Sequence, residues 1–189
     1  MAEHDDFFVP EPVRVFFENS PVALALASPA GDTPLVLVNG GFRKLTGYAP
    51  SDVVGENCRL LQRDARNEEA RAQLRTFLAD DTAANVRTTI VNFTKDGTPF
   101  INLLYMSRLR SLAGETRYIF ASQFDVSRAH PERLQEYERD LGQTLTQLRP
   151  LVAESGIIVE GTLTTIANTA ITIAQAKLTL ADLDQSSLL

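Results

Sequence analysis

Short apolar runs of β type alternate with helical patterns along the central part of the chain. Two runs come first, at 22–27 and 35–38, and three longer ones follow at 85–94, 99–109 and 117–126. Glycine-containing turns of the kind that joins antiparallel strands separate the last three runs. Two strands, several helices and then three strands predict an α+β fold with a five-stranded antiparallel sheet and short flanking helices.

Apolar residues at helical spacing predict further helices around this sheet. The strongest pattern between the second and third strands covers 68–78. The segment 1–20 carries Phe16 and Phe17 at helical spacing and predicts an N-terminal cap helix. These two rings either cover the core or contact a second chain. The domain itself is expected at 21–127.

A helical extension is expected at 128–189. Its first helix, 131–149, has a nearly heptad spacing of apolar residues, and Arg149 and Pro150 predict a break or a bend at its end. After a turn, a second helix at about 162–178 is too apolar to be solvated on all sides. This extension either folds back over the sheet or pairs with another chain, and we favour a homodimer.

Charge and cysteine content exclude several classes of protein. The 189 residues carry a formal net charge of −6, which disfavours nonspecific binding to nucleic acid. The single cysteine rules out an internal disulfide framework. The acidic start and the lack of a long apolar run predict neither a signal peptide nor a membrane span. We therefore expect a cytoplasmic protein.

That single cysteine, Cys58, is the centre of the candidate chemistry. It is either an inert core residue or a reactive thiol. Asn57 precedes it, Arg59 follows it, and Gln62 lies four positions further on. A guanidinium beside carboxamides suits a planar, hydrogen-bonding ligand that carries phosphate.

Three more carboxamides lie among apolar neighbours on the predicted strands. They are Asn92, Asn102 and Gln123. Such amides either bond locally or face a polar ligand. Together they would offer many donors and acceptors to one heterocycle.

The run Asn57-Cys58-Arg59-Leu60-Leu61-Gln62 resembles the signature of LOV domains, the blue-light-sensing, flavin-binding branch of the PAS fold. The resemblance covers roughly 22–126, and the chain is similar to short bacterial LOV photoreceptors with helical extensions. The other matching blocks, in order, are Thr46-Gly47-Tyr48, Arg75, Val91-Asn92-Phe93-Thr94-Lys95-Asp96-Gly97, Phe100-Ile101-Asn102-Leu103 and Gln123-Phe124-Asp125.

The resemblance implies a non-covalently bound flavin and a photoreactive thiol. Cys58 would add reversibly to carbon 4a of the excited flavin. Arg59 and Arg75 would hold the phosphate of FMN, with FAD as the alternative cofactor.

The resemblance also assigns the amides. Asn57 and Gln62 would line the ribityl chain and the ring near the cysteine, and Asn92 and Asn102 would face the pyrimidine edge. Gln123 would lie beside flavin nitrogen 5 and reorient when that nitrogen gains a proton. Because a carboxamide can present either its NH₂ or its C=O, it can serve both states of that nitrogen.

The first strand departs from the family pattern. Ala23, Ala25 and Ala27 occupy positions where plant-type members have larger or polar side chains, and Leu60 replaces a phenylalanine. Small side chains leave space around the flavin, so we expect faster thermal decay of the photoproduct.

The leading hypothesis is a blue-light photoreceptor that is not an enzyme. Its signal would pass through the last strand to the flanking helices and change self-association, with an unknown downstream partner. No metal site is expected. An alternative is a light-regulated transcription regulator that binds DNA through its C-terminal helices. However, residues 150–189 carry one basic residue against four acidic ones. A third reading, an enzyme with Cys58 as nucleophile, lacks a basic partner near it in sequence.

Overall fold

Six strands form one antiparallel sheet in the computed structural model, which describes residues 8–161, 163 and 166–186. The spatial order is β2-β1-β5-β4-β3, and β6 pairs with the far end of β4. The predicted α+β class and antiparallel sheet are confirmed. The strands are β1 (Ala23–Ala27), β2 (Leu35–Val38), β3 (Asn85–Phe93), β4 (Pro99–Ser111), β5 (Thr116–Asp125) and β6 (Ile157–Val159).

Six α-helices and one 3₁₀ helix surround the sheet. The 3₁₀ helix, Cys58–Gln62, lies between the third and fourth α-helices, and the predicted helix at 68–78 is confirmed as α4. The α-helices are α1 (Glu11–Asn19), α2 (Gly40–Thr46), α3 (Pro50–Val53), α4 (Glu68–Ala79), α5 (Pro131–Ala153) and α6 (Thr169–Ser186). None of the helices within the described residues is both long enough and apolar enough to cross a bilayer.

Asn39 holds three of the first elements together. Its Oδ1 accepts hydrogen bonds from Phe42 N (3.0 Å), which caps α2, and from Leu24 N (2.9 Å) in β1. Its Nδ2 donates to Phe17 O and Val22 O, both at 2.8 Å. This fully buried amide therefore fixes the end of α1 against the sheet.

The alternation of side chains along each strand gives the sheet two different faces. On the outer face, Leu24 and Tyr105 pack against α1 and α5. On the inner face, Ala25 and Ile119 pack with Phe42 from α2. The outer face is a large apolar core, whereas the inner face also lines a cavity.

The N-terminal helix is shorter than the predicted segment 1–20. Pro10 precedes it and Ser20 ends it, and residues 1–7 lie outside the described part of the chain. Phe17 is fully buried with its ring edge-on to Phe120, at a centroid distance of 5.9 Å. This ring therefore covers the core, as one of the two interpretations expected.

The predicted break at Arg149 and Pro150 is wrong, because α5 continues through Pro150 to Ala153. Proline removes one backbone hydrogen bond from a helix. The last turn is retained here because Leu148 and Val152, on either side of the proline, are both buried in the outer core.

The strand after α5 and the start of α6 also differ from the prediction. Gly156, with a φ of 70°, turns the chain so that β6 adds to the sheet. The second helix begins at Thr169 rather than near 162, because Asn168 Oδ1 accepts from Ile171 N (3.1 Å) as a cap. It ends at Ser186 rather than near 178, and residues 162, 164 and 165 are not among those described.

The C-terminal extension folds back over the outer face of its own sheet. Glu138 of α5 forms an ion pair with Arg87 of β3 and accepts a hydrogen bond from Ile166 N (2.8 Å). Ile173 and Ala176 of α6 are buried in the same core. Of the two arrangements left open by the sequence, the structure has the intramolecular one for these helices.

Candidate functional site

A cavity lies between the inner face of the sheet, the 3₁₀ helix and α4. Its volume is about 110 Å³, and it opens to solvent on one side. Seven of the eight residues predicted for the site line it: Asn57, Cys58, Arg59, Gln62, Asn92, Asn102 and Gln123. The remaining walls are mostly apolar and include Leu74, Leu78, Ile90, Leu104, Met106 and Ile119.

Cys58 is the first residue of the 3₁₀ helix. Asn57 caps this helix, because its Oδ1 accepts a hydrogen bond from Arg59 N (2.8 Å). Burial raises the pKa of the Cys58 thiol from an ordinary value of 9.0 to about 12. A thiol with a raised pKa keeps its proton at neutral pH.

Gln123 is the most unusual polar residue of the cavity. It is only 2% exposed, and neither its Nε2 nor its Oε1 has a hydrogen-bond partner within the described structure. Burying an unsatisfied polar group costs about 1–3 kcal/mol. A ligand that both accepts and donates hydrogen bonds would satisfy the two atoms.

The other two strand amides are joined to each other. Asn102 Nδ2 donates to Asn92 Oδ1 (2.9 Å), and Asn102 Oδ1 accepts from Phe124 N (3.2 Å). Asn92 Nδ2 donates to Val91 O (3.0 Å). The pair thus forms a fixed polar wall that continues to the end of β5, next to Gln123.

Of the two arginines predicted to act together, one lines the cavity and the other does not. Arg59 lines the cavity and forms an ion pair with Asp32, whereas Arg75 is exposed on α4 and is not part of the lining. Arg71, one turn earlier on the same helix, donates from Nε to Gln62 Oε1 (2.7 Å). Arg71 was not among the residues predicted for the site, although its position one helical turn before Arg75 places it near the same face of α4.

The alanines of β1 do not share one environment. Ala25 and Ala27 line the cavity, and Ala121 of β5 joins them. Ala23 does not, because α2 covers it. A Cβ on Gly41 would lie 2.9 Å from Ala23 Cα. The predicted space around the flavin therefore lies beside Ala25 and Ala27. Other inner-face residues, such as Met106, were missed, although they alternate in step with Asn102.

No group of three or more His, Cys, Asp or Glu side chains within the described ranges could hold a metal ion.

This chain is similar to a family of sensory domains and to proteins that respond to blue light. A family model described as "PAS domain" matches residues 21–128. A blue-light photoreceptor of Listeria monocytogenes is 34% identical over 120 residues, covering 64% of this chain and 44% of that protein. Blue-light-activated histidine kinase 1 of Erythrobacter litoralis is 34% identical over 127 residues, covering 65% of this chain and 35% of that protein.

A solved structure also matches over nearly the full length. The Rhodobacter sphaeroides LOV protein has a TM-score of 0.68 at 26% identity, with 97% of each chain covered. The chain spans less than half the length of the two curated relatives named above. Since the family model covers more than half of the sequence, this chain belongs to the PAS domain family and is a LOV domain of that superfamily.

Proposed function

We propose that this protein senses blue light through a flavin held in the cavity, with Cys58 as the photoreactive thiol. One observation carries the proposal. Gln123, whose two polar amide atoms find no partner among the described residues, lies on the wall of the same cavity as Cys58. A flavin ring nitrogen that changes from acceptor to donor is a group that such an amide can serve in both states.

The residues of the cavity fit a flavin. Asn92 and Asn102 would face the polar edge of the ring, and the apolar walls would contain its hydrocarbon edge. Gln62, oriented by Arg71, would lie along the ribityl chain, and Arg59 would hold a phosphate. When bound, the flavin would supply blue-light absorption and the ring carbon that accepts the Cys58 sulfur.

Cys58 can supply both a sulfur nucleophile and a proton. Because burial raises its pKa to about 12, Sγ keeps its proton in the dark. Protonation of the flavin nitrogen would then need no acidic side chain other than the Cys58 thiol. The resting protein stays inert, since it is light rather than a thiolate that provides the driving force.

The signal would leave the cavity through β5. Ser122 and Phe124 flank Gln123, and both contact Tyr137 of α5. A reorientation of Gln123 would therefore change the packing between the sheet and the C-terminal helices. We include in the proposal that this change alters self-association.

Exposed apolar side chains outside the core support a homodimer. Val15 on α1 is 50% exposed, and Ile171 and Leu178 on α6 are 53% and 66% exposed. The last two lie seven residues apart on one helix face. Size-exclusion chromatography in darkness and under blue light tests this part. Elution as a monomer in both conditions would contradict it.

The absorption spectrum tests the function itself. The purified protein should be yellow, lose its blue absorption band under blue light and regain it in darkness. Cys58→Ala leaves no other thiol in the chain, since Cys58 is the single cysteine. That variant should stay yellow and lose the reversible bleaching. A colourless protein, or an unchanged photoreaction in the variant, would disprove the proposal.

A further inference from the structure

The 3₁₀ helix that carries Cys58 ends in a strained backbone conformation. Arg63, the residue directly after it, has a φ of 45° and a ψ of −125°. Glycine adopts such a conformation readily, whereas residues with a Cβ rarely do. A strained residue keeps its conformation only where the surrounding structure holds it. Arg63 was not among the residues predicted for the site.

The side chain of Arg63 provides this support. Its Nη2 donates hydrogen bonds to Thr94 O and Lys95 O, both at 3.0 Å, in the turn between β3 and β4. Its guanidinium lies over the ring of Phe93, 5.7 Å from the centroid. Gly97 leaves room for it, since a Cβ there would lie 3.2 Å from Arg63 Nη1. The side chain is thus bound to the end of β3 and to the turn that follows it.

These contacts join two walls of the cavity. Cys58 and Gln62, the first and last residues of the 3₁₀ helix, line one wall. Asn92, which precedes Phe93 at the end of β3, lines the other. Arg63 follows Gln62 directly, and its side chain bonds to the residues that follow Phe93. The distance between the thiol and the amide wall therefore depends on Arg63.

We propose that Arg63 is a positioning residue for Cys58. Its two hydrogen bonds hold the strained end of the 3₁₀ helix against the turn between β3 and β4, and so fix the place of the thiol in the cavity. Arg63 is not part of the described cavity lining, so it acts through the backbone of the helix. For the photoreaction, this inference rests on the proposed function, because addition of Sγ to the flavin needs the two reacting atoms close together.

Labelling of the apoprotein with N-ethylmaleimide tests the position of the thiol without any flavin. Cys58 is the single cysteine, so the reagent has one thiol to modify. Arg63→Ala removes both hydrogen bonds and keeps the strain, so local opening should raise the labelling rate at least about fivefold. Arg63→Gly loses the same bonds without the strain, and its rate should rise less. Arg63→Lys keeps a cationic donor, and its rate should stay within about twofold of the wild type.

The photoreaction provides a second measurement. In the flavin-loaded protein, the fraction of photoproduct formed by a fixed dose of blue light should fall about threefold or more in Arg63→Ala. Flavin affinity should stay within about twofold, because the substituted side chain lies outside the described lining. A merely structural role would lower flavin affinity and leave the photoreaction of the bound flavin unchanged. Arg66→Gln is the control, since Arg66 is exposed and forms no hydrogen bond or ion pair in the described ranges.

The outcomes separate the two proposals. Wild-type labelling of Arg63→Ala, or an equal rise in Arg66→Gln, would overturn the role of Arg63 whether or not flavin binds. Equal rates for Arg63→Ala and Arg63→Gly would overturn the role of the strained backbone. Urea unfolding reports whether each variant is folded, and Arg63→Gly against the wild type repeats the test if Arg63→Ala is not. Faster labelling of Arg63→Ala in a protein that binds no flavin would support this inference and disprove the proposed function alone.

Discussion

Ser122 and Tyr137 share a hydrogen bond of 2.5 Å between β5 and α5. Ser122 precedes Gln123, and successive residues of a strand point to opposite faces of the sheet. The hydroxyl pair therefore lies directly behind the cavity amide. The Tyr137 ring also stacks on Phe124, at a centroid distance of 4.5 Å and an interplanar angle of 16°. One strand segment thus contacts the proposed flavin site on one face and the C-terminal extension on the other.

Tyr137→Phe should uncouple the helix from the site without removing the ring stacking. Loss of the buried hydrogen bond is expected to lower the free energy of unfolding by about 1 kcal/mol. Dark recovery of the blue band should stay unchanged, while the light-dependent change in elution volume should decrease. Urea unfolding, absorption spectroscopy and chromatography measure these three quantities.

Tyr105→Phe is the matched control for this change. The Tyr105 hydroxyl is buried, and no hydrogen-bond partner for it occurs in the described part of the chain. Its removal should be neutral or slightly stabilising, because no bond is lost. Equal effects of the two substitutions would refute a special role for the contact between Ser122 and Tyr137.

Gln123→Leu should stabilise the apoprotein or leave its stability unchanged, since the amide has no hydrogen bond to lose within the described part of the chain. Gln62→Leu should instead destabilise it by about 1–3 kcal/mol, because Gln62 Oε1 accepts from Arg71 Nε. With flavin bound, the Gln123 variant should still bleach but should transmit less change to the helices. A marked destabilisation of apo Gln123→Leu would argue against an amide that awaits a ligand.

Glu138→Gln should loosen the C-terminal extension. The carboxylate is 7% exposed, pairs with Arg87 and accepts from Ile166 N. Breaking a buried ion pair costs about 3–5 kcal/mol. Glu136 forms a more exposed ion pair with Arg133 on the same helix. Glu136→Gln should therefore lower the free energy of unfolding by less than about 1 kcal/mol. Chemical denaturation and limited proteolysis after residue 153 compare the two variants, and similar losses would contradict this interpretation.

Ala25→Ile tests the consequence of the small side chains on β1. Ala25 is fully buried on the cavity wall, so a larger side chain there should shield the reactive centre from water. Thermal recovery of the blue band should slow by about threefold or more, equivalent to roughly 0.7 kcal/mol in the barrier. Ala72→Ile, on the exposed side of α4, is the control. Unchanged or faster recovery in Ala25→Ile would refute the argument.

The raised pKa of Cys58 predicts a loss of stability at alkaline pH. The folded protein keeps the thiol proton up to a pKa of about 12, whereas the unfolded chain releases it near 9.0. The stabilisation is therefore fully present below pH 9 and falls as the pH rises towards 12. Between about pH 8 and pH 10, the free energy of unfolding of the wild-type apoprotein should fall by about 1.4 kcal/mol more than that of the Cys58→Ser variant.

Denaturant unfolding of both proteins at the two pH values measures this difference. Tyr137, whose pKa burial also raises to about 12, contributes equally to both proteins and cancels. An equal loss of unfolding free energy in the wild type and in Cys58→Ser would show that the fold does not hold the thiol in its neutral form.

Local patterns were enough to predict much of the fold and of the site. The capped turn Asn57–Gln62 contributes four of the seven lining residues that were predicted, and these are close in sequence. The strand amides share the inner face because strands alternate with a period of two. By contrast, the extent of α5 past Pro150 depended on burial of Leu148 and Val152, which a local pattern does not contain.

The sequence by itself determined the order of the five central strands and the helices between them, the single thiol and the amides that surround it, because each depends on neighbours along the chain. Only the tertiary structure decided that Arg59 pairs with Asp32, that Arg75 is not part of the cavity lining and that both amide atoms of Gln123 find no partner in the described ranges. These relationships join residues distant in sequence. Their formation depends on how the elements pack, which no spacing of residue types encodes.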